Sequence, residues 1–253
     1  KCLAKTILQI EKLSKPISTE DDIHHIATIS ANNDKEIGSL VATAVTRVGK
    51  GGSVTIEAAR SHETTLELVE GFTFDSGYAA SAFITDERRD AINYEDPVFL
   101  ITDNKVNQVQ QILPALEIAA RESKPLVIVA DDIEGQALAA MIMNSVRGTM
   151  KVAAVKAPRY GEERRAIMSD LALATGAKFF QQSNGDDLSK ITLEDFGRSL
   201  SVEISKSKTT VVDGNGNTEE IDNTIEKIKS KIKDCESLPE AERLQERVTR
   251  LAS

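Results

Sequence analysis

Aromatic residues are scarce in this chain of 253 residues, which has no tryptophan and an aromatic content of only 4%. Since hydrophobic residues still make up 40% of the chain, we expect a globular protein whose core is mainly aliphatic. Cysteine is also rare, and Cys2 and Cys235 lie far apart and form no C-x-x-C pair. This usage predicts two reduced thiols in an intracellular protein.

A long apolar run and an excess of positive charge are absent as well. No stretch approaches the length of a transmembrane helix, and Lys1–Lys5 lacks the apolar core of a signal peptide. The chain opens within a helical pattern without a methionine, which predicts a fragment of a longer protein. The formal net charge is −9, whereas phosphate contacts need clustered Lys and Arg. We therefore expect neither a membrane nor a nucleic acid as a partner.

Motifs for phosphate binding and catalysis are missing too. Neither G-x-G-x-x-G nor G-x-x-x-x-G-K-[ST] occurs in the sequence. His24 and His25 are adjacent on a predicted helix, where their side chains diverge by about 100°, and His62 is isolated. Because no His or Cys is placed for a metal centre or a catalytic triad, the residues predict neither.

The most informative segment that is present runs from Lys124 to Gly148. Its first part, Leu126–Ala130, is an uninterrupted aliphatic run, which is typical of a strand buried on both faces. Asp131 and Asp132 follow, and these polar residues end the apolar run and can also cap a helix. A helix of good formers is then predicted over Gln136–Arg147, ended by the glycine.

This helix has a wider apolar surface than is needed to cover one sheet. One side carries Leu138, Met141, Ile142 and Ser145, and an adjacent side carries Ala139, Met143 and Val146. Two interpretations remain open. The helix is either buried between layers, or it keeps an apolar face in water to bind a partner, for which flexible Met and aliphatic side chains are well suited.

The pattern of the rest of the chain predicts helices and a small sheet first, and alternating strands and helices afterwards. Ser18 or Thr19 is expected to cap a helix through Ile26, and Asn32 or Asn33 a second helix. Further strands are predicted at Ser53–Glu57, Thr64–Val69, Val98–Thr102, Lys151–Val155, Lys178–Gln181 and Thr209–Asp213. Further helices are predicted at Leu113–Arg121, with Pro114 in its first turn, at Glu163–Thr175, and along two stripes, Ile221/Ile225/Ile228/Ile232 and Leu244/Val248/Leu251. Alternation of this kind predicts an α/β fold with parallel pairing and right-handed crossovers.

Three acidic side chains follow the buried strand: Asp131, Asp132 and Glu134. Carboxylates at that edge of a parallel sheet can hold Mg²⁺ for phosphoryl transfer, which makes an α/β Mg-dependent phosphotransfer enzyme the alternative function. Helix capping and a favourable interaction with the helix dipole are the structural explanation, and the missing phosphate loop favours it. The charged helices at the end of the chain also fit an oligomerisation module.

Taken together, several segments resemble the group I chaperonins, the bacterial GroEL type and its organellar relatives. They occur in the family's order and span nearly the whole chain. The matching stretches are Thr28–Asn32, Val48–Lys50, Val69–Gly71, Phe74–Asp75, Gly77–Tyr78, Lys124–Gly148, Lys151–Pro158, Thr192–Asp195 and Leu244–Val248.

The resemblance implies a fold and a domain organisation. Residues 1–12 are similar to the end of an equatorial-domain helix, residues 13–69 to the first segment of the α+β intermediate domain, and residues 70–253 to the apical, polypeptide-binding domain. The family's apical domain has layered β-sheets flanked by helices, two of which lie at the rim of the channel. A hinge is expected at Glu70 and Gly71, where composition changes and glycine admits unusual backbone angles.

The resemblance also implies a function, the binding of non-native polypeptides through an apolar apical groove. Carried over position by position, the binding residues are Tyr78, Phe83, Leu113, Leu116, Leu138, Ile142, Met143 and Asn144. A co-chaperonin's mobile loop uses the same groove in the family, and the intact parent forms a homo-oligomeric ring in the cytoplasm or an organellar matrix. The nucleotide loop and catalytic Asp are absent, so the fragment is expected to bind no cofactor and hydrolyse no ATP, whereas the parent uses ATP and Mg²⁺.

The chain departs from the family at several positions. Ser76 stands where the family has an arginine that pairs with a neighbouring subunit. Ala80 and Ala82 replace the serine and tyrosine of a Ser-Pro-Tyr-Phe segment, which removes one aromatic contact. Arg159 and Tyr160 replace a Gly-Phe pair. These departures indicate a divergent member.

Overall fold

The computed structural model describes residues 14, 17, 19–48, 64, 66, 71–235 and 237–252. Its contacts divide the chain into two units, Lys1–Leu68 and Val69–Ser253. The helix predicted at the N-terminus, the strand at Ser53–Glu57 and most of the strand at Thr64–Val69 lie outside the described residues. Within the described part of the chain, no helix is both long and apolar enough to cross a membrane.

The first unit contains a pair of helices, α1 (Glu20–Ser30) and α2 (Lys35–Val48). Thr19 caps α1 as the sequence predicted, since its hydroxyl accepts a hydrogen bond from the Asp22 backbone N–H at 3.2 Å, while the Asp22 carboxylate accepts one from the Thr19 N–H at 3.2 Å. This reciprocal capping box satisfies two backbone donors that a helix start otherwise leaves free.

The cap of α2 differs from the prediction. Asp34 provides it, because its Oδ1 accepts hydrogen bonds from the backbone N–H groups of Glu36 at 2.9 Å and Ile37 at 3.2 Å. Asn32 and Asn33, the expected caps, instead adopt left-handed φ angles of 57° and 65° in the connection. Asparagine tolerates this conformation better than most residues, so its role here is to turn the chain.

The second unit contains eight strands and five longer helices among its described residues. The strands are β1 (Phe72–Phe74), β2 (Ile92–Glu95), β3 (Val98–Val106), β4 (Leu126–Ile133), β5 (Val152–Lys156), β6 (Phe179–Phe180), β7 (Gly197–Ile204) and β8 (Thr209–Gly214). The helices are α3 (Val109–Arg121), α4 (Gly135–Val146), α5 (Gly161–Thr175), α6 (Thr218–Asp234) and α7 (Leu238–Leu251). Short 3-10 turns lie at Ser81–Phe83, Gln182–Asn184, Leu188–Lys190 and Leu193–Asp195.

The sheet has a parallel part and an antiparallel part. Strands β3, β4 and β5 run parallel, and β6 adds a short parallel pairing to β3. The antiparallel part has the order β1-β8-β7-β2. The two parts join where β7 pairs with the start of β3, with Phe99 opposite Gly197. The α/β fold class that the sequence predicted is therefore confirmed, whereas the expected parallel pairing holds only for β3–β6 and the remaining strands pair antiparallel.

The core lies against the parallel strands. Every residue of Leu126–Ala130 is fully buried, as the aliphatic run predicted. Strand β4 continues through Asp131 and Asp132 to Ile133, so the prediction that these aspartates cap a helix is wrong. Helix α4 begins after Glu134, whose side chain makes no capping hydrogen bond.

Helix α3 begins one turn earlier than predicted, at Val109. Pro114 therefore lies inside the helix rather than in its first turn. The capping residues explain the early start, because the Gln111 side chain accepts hydrogen bonds from the N–H groups of Asn107 and Gln108, both at 3.0 Å. These contacts fix the chain in front of the first turn, and the helix continues through Pro114 without the interior hydrogen bond that proline cannot donate.

Candidate functional site

Helices α3 and α4 lie next to each other against the parallel strands, and α4 also contacts the turn Ser81–Phe83. In the chain, helix α3 follows strand β3 and helix α4 follows strand β4. Most of the residues predicted to bind polypeptides lie on these two helices. The structure therefore brings the predicted site together, and the burial of each side chain decides what it can contact.

Helix α4 presents three rows of apolar side chains with different burial. Ala137 and Met141 are fully buried against the sheet. Leu138 and Ile142, on the flank of the helix, are half-buried and pack against the core. Met143 and Val146 lie on the outer side and are 52% and 70% exposed. Each interpretation of the wide apolar surface therefore holds for part of it. The row of Ala137 and Met141 belongs to the core, and the row of Met143 and Val146 faces water.

Helix α3 divides its two leucines in the same way. Leu113 is 44% exposed, whereas Leu116 is only 7% exposed. The assignment of Leu116 as a contact residue is therefore corrected, because it belongs to the core-facing row Ile112, Ala115, Leu116 and Ala119. That row has the i, i+3, i+4, i+7 spacing of a buried helix face, so the sequence did contain a signal for its burial.

Phe83, which lies in the turn that contacts α4, is also more buried than expected. Phe83 is 1% exposed within its 3-10 turn, so its assignment as a contact residue is corrected as well. The turn that holds Phe83 contacts α4 and β5, and the buried phenyl ring belongs to the hydrophobic core rather than to an exposed binding surface.

Tyr78 remains half-buried at the edge of β5, where it forms a bridge with Val155. Its backbone N–H donates to the Ser205 carbonyl at 3.3 Å. A side chain on Gly77 would place its Cβ 2.1 Å from that same carbonyl oxygen, so glycine is required for this close approach. Burial, with a smaller contribution from Asp90, raises the pKa of the Tyr78 hydroxyl, and the residue stays neutral at physiological pH.

The side chain of Asn144 forms hydrogen bonds at the end of its own helix. Its amide N–H donates to the Ala140 carbonyl at 2.9 Å, and its Oδ1 accepts from the Thr149 hydroxyl at 3.1 Å. The Thr149 backbone N–H also donates to the Asn144 carbonyl at 3.1 Å. Asn144 therefore secures the connection between α4 and β5.

We give the name apolar strip to five of the apolar side chains on these two helices that water still reaches. It consists of Leu113, Leu138, Ile142, Met143 and Val146. Val146 is the most exposed of them and was not among the residues carried over from the family. Its position three residues after Met143 and four after Ile142 was the signal that placed it on this surface.

The expected hinge residues lie at the start of the second unit. Glu70 is outside the described residues. Gly71 has a φ of 121°, a conformation that side chains resist, and a Cβ there would lie 2.3 Å from the Val211 carbonyl oxygen.

Two of the three acidic residues of the alternative function, Asp131 and Asp132, are already paired with cationic side chains. Asp131 forms an ion pair with Arg164. Asp132 lies 2.8 Å from the Lys156 ammonium, which lowers the pKa of that carboxyl group. Glu134 is exposed and lies outside both pairs. Because each aspartate has a neutralising partner, the arrangement resembles a structural charge network more than a cation site.

A cleft of about 670 Å³ opens beside this network. Its walls carry charges of both signs, from Asp103, Asp131, Glu162, Arg164 and Arg165. Within the described ranges, no group of three or more His, Cys, Asp or Glu side chains is arranged to hold a metal ion. Three acidic and two basic side chains lie close together there, so the cleft has no strong excess of either charge that would attract an anion or a cation.

The apolar strip is thus the surface with the clearest chemical preference, since its side chains are aliphatic or thioether groups reached by water. Single exposed hydrophobic residues are normal on proteins, whereas large contiguous apolar patches are typical of interaction sites. No model of a known protein family matches this chain.

Proposed function

We propose that this chain is a chaperonin fragment that binds non-native polypeptides through the apolar strip of α3 and α4. One observation carries the proposal. Leu113, Met143 and Val146 expose 44%, 52% and 70% of their surface on two adjacent helices that are otherwise anchored in the core. Removing such groups from water against a partner is favourable.

The chemistry of the strip suits partners without a fixed shape. Leucine, isoleucine, valine and methionine offer neither charge nor directional hydrogen bonds, so they accept apolar segments of many sequences. Each such side chain stabilises a complex by up to about 1.5–3 kcal/mol when it becomes fully buried. An unfolded client provides the required apolar groups, and the mobile loop of a co-chaperonin is the second candidate partner.

The buried residues of the predicted site have a supporting role in this proposal. Leu116 and Phe83 hold α3 and α4 on the sheet, so that the strip keeps its shape when nothing is bound. A rigid platform loses less conformational entropy on binding than a flexible one. Asn144 follows Met143 in α4, and Tyr78 forms a bridge to β5; we propose that both contribute polar atoms beside the strip.

In the intact parent, we propose, this fragment belongs to a homo-oligomeric ring in the cytoplasm or an organellar matrix. ATP and Mg²⁺ would act in a domain outside this chain, and the fragment alone would show no ATPase activity. Turnover that co-purifies with the fragment and disappears in Asp131→Asn would contradict this and support the alternative phosphotransfer function. The two paired aspartates make that alternative the weaker one.

The experiment that tests the proposal replaces the three most exposed residues together, as Leu113→Gln, Met143→Gln and Val146→Gln. Glutamine is a good helix former, so the helices are preserved. The triple variant should keep the wild-type unfolding midpoint in urea and lose its suppression of the aggregation of a denatured client protein.

Leu200→Gln is the matched control, because Leu200 is 63% exposed but lies on strand β7 rather than on either helix. It should suppress aggregation as well as the wild type does. If the triple variant captures clients normally, or if Leu200→Gln loses as much capture as the triple variant, the apolar strip is not the binding surface.

A further inference from the structure

The four methionines of this chain differ strongly in their exposure to water. Met141 and Met168 are buried, at 0% and 1% exposure, whereas Met143 is 52% exposed. Met150 is half-buried and packs against the core. A dissolved oxidant reaches a thioether only where water does. Met143 is therefore the methionine that a peroxide meets first.

We propose that Met143 is a reversible oxidation site through which peroxide weakens the binding of clients to the apolar strip. Oxidation turns a flexible apolar thioether into a polar sulfoxide. Met143 lies between Ile142 and Val146 on α4, so the change occurs within the strip itself. The selectivity of oxidation rests on exposure alone, and its effect on clients rests on the proposed function.

The chemical step needs only the peroxide. A sulfur lone pair attacks one peroxide oxygen, an S–O bond forms, the O–O bond breaks, and proton transfer releases the second oxygen as water. Sulfur loses two electrons and the peroxide gains them. In the reverse direction, a thiol-dependent sulfoxide reductase supplies two thiols, which become a disulfide while the sulfoxide oxygen leaves as water.

The exposure of Met143 also predicts that its oxidation leaves the stability of the fold unchanged. About half of the Met143 side chain already faces water, so a polar oxygen there disturbs little core packing, and the unfolding midpoint should stay the same. The affinity for a client should fall by about fivefold, because the apolar contact that the side chain can add on binding is lost.

The first measurement is a peptide map by mass spectrometry during brief treatment with hydrogen peroxide. The Met143 sulfoxide should form first, that of Met150 later, and Met141 and Met168 should stay reduced while the protein is folded. Oxidation of Met150 or Met141 as fast as that of Met143 would overturn the proposed site.

The second measurement is client capture before and after peroxide treatment, in the wild type and in Met143→Leu. The treated sample of each protein is compared with the untreated sample of the same protein. Leucine keeps the volume and removes the sulfur, while Cys235 oxidises alike in both proteins. The wild type should lose about fivefold in affinity and recover it with a methionine sulfoxide reductase, and Met143→Leu should not change.

The outcomes separate this inference from the proposed function. A wild type that captures clients equally well after Met143 is oxidised, or a Met143→Leu variant that loses as much, would overturn the regulatory role. If the untreated wild type captures no client, the proposed function fails and the regulatory role fails with it, whatever the peptide map shows.

Discussion

Arg247 on α7 holds Asp170 on α5 through two parallel hydrogen bonds. Its Nε lies 2.8 Å from one carboxylate oxygen and its Nη2 lies 2.7 Å from the other. The Asp170 side chain is 2% exposed and that of Arg247 is 24% exposed. The two residues are 77 positions apart in sequence, so this contact fastens the last helix of the chain to a helix that packs on the sheet.

We expect Arg247→Met to destabilise the fold by about 3–5 kcal/mol, because it leaves a buried carboxylate without a partner. The double variant Asp170→Leu with Arg247→Met should recover most of that loss, since no buried charge remains. Urea unfolding of the two single variants and the double variant gives the coupling free energy directly.

Arg89→Met is the control for this pair. Arg89 lies 3.7 Å from Glu203, and both side chains are largely exposed, so the loss should stay below about 1 kcal/mol. An equal effect of Arg89→Met and Arg247→Met would show that burial does not set the strength of the Asp170 contact.

Leu113 and Leu116 differ only in burial, and their truncation should separate binding from stability. Leu116→Ala should cost about 2–5 kcal/mol of unfolding free energy, since it removes a core side chain. Leu113→Ala should change stability by no more than about 0.5 kcal/mol and should weaken client capture. Urea midpoints and aggregation assays on both variants test this, and a Leu113→Ala variant that unfolds early would place Leu113 in the core.

Arg159 adopts a left-handed φ of 57° just before α5. Its guanidinium lies 2.9 Å from Glu163 and 3.8 Å from both Asp75 and Glu246. Arg159→Ala and Arg159→Gly remove the same ion pairs, but only glycine accepts this φ without strain. The glycine variant should therefore be more stable than the alanine variant by about 1 kcal/mol. Thermal unfolding of the two compares them, and an alanine variant that is equally stable would mean that the backbone relaxes.

Tyr94 is expected to make stability depend on pH under alkaline conditions. Its buried hydroxyl donates to the Val152 carbonyl at 3.2 Å, and burial raises the pKa of this hydroxyl to about 12 from 10.0. Between pH 10 and pH 12, Tyr94 has lost its hydroxyl proton in the unfolded chain but keeps it in the folded chain. The stability that this difference provides is therefore fully present below pH 10 and falls as the pH rises towards 12. The loss should be on the order of 2 kcal/mol.

Tyr94→Phe cannot ionise and serves as the comparison for that prediction. The free energy of unfolding of both proteins, measured by urea titration from pH 9 to pH 12, should fall more steeply in the wild type. Parallel curves would show that lysines and the other tyrosines account for the whole alkaline loss.

The sequence by itself determined the elements whose residues repeat locally. The aliphatic run Leu126–Ala130 predicted a strand, and all five side chains are fully buried. The isoleucine stripe of α6 predicted a packed helix, in which Ile225 and Ile228 are buried. Strands β1, β2 and β7 were not predicted from their residues. Their pairing depends on partners that are distant in the chain, with Phe72 opposite Val211 and Ile92 opposite Ile204.

Only the tertiary structure decided which apolar side chains of the candidate site meet water. Local periodicity shows that a helix face must be covered, but not how far neighbouring elements extend over it. Phe83 is therefore buried although it lies in the segment expected to bind polypeptides, whereas Met143, two residues beyond the fully buried Met141, remains 52% exposed. The strip on α3 and α4 exists because the sheet, the adjacent helix and the nearby turns cover only part of the surface of each helix.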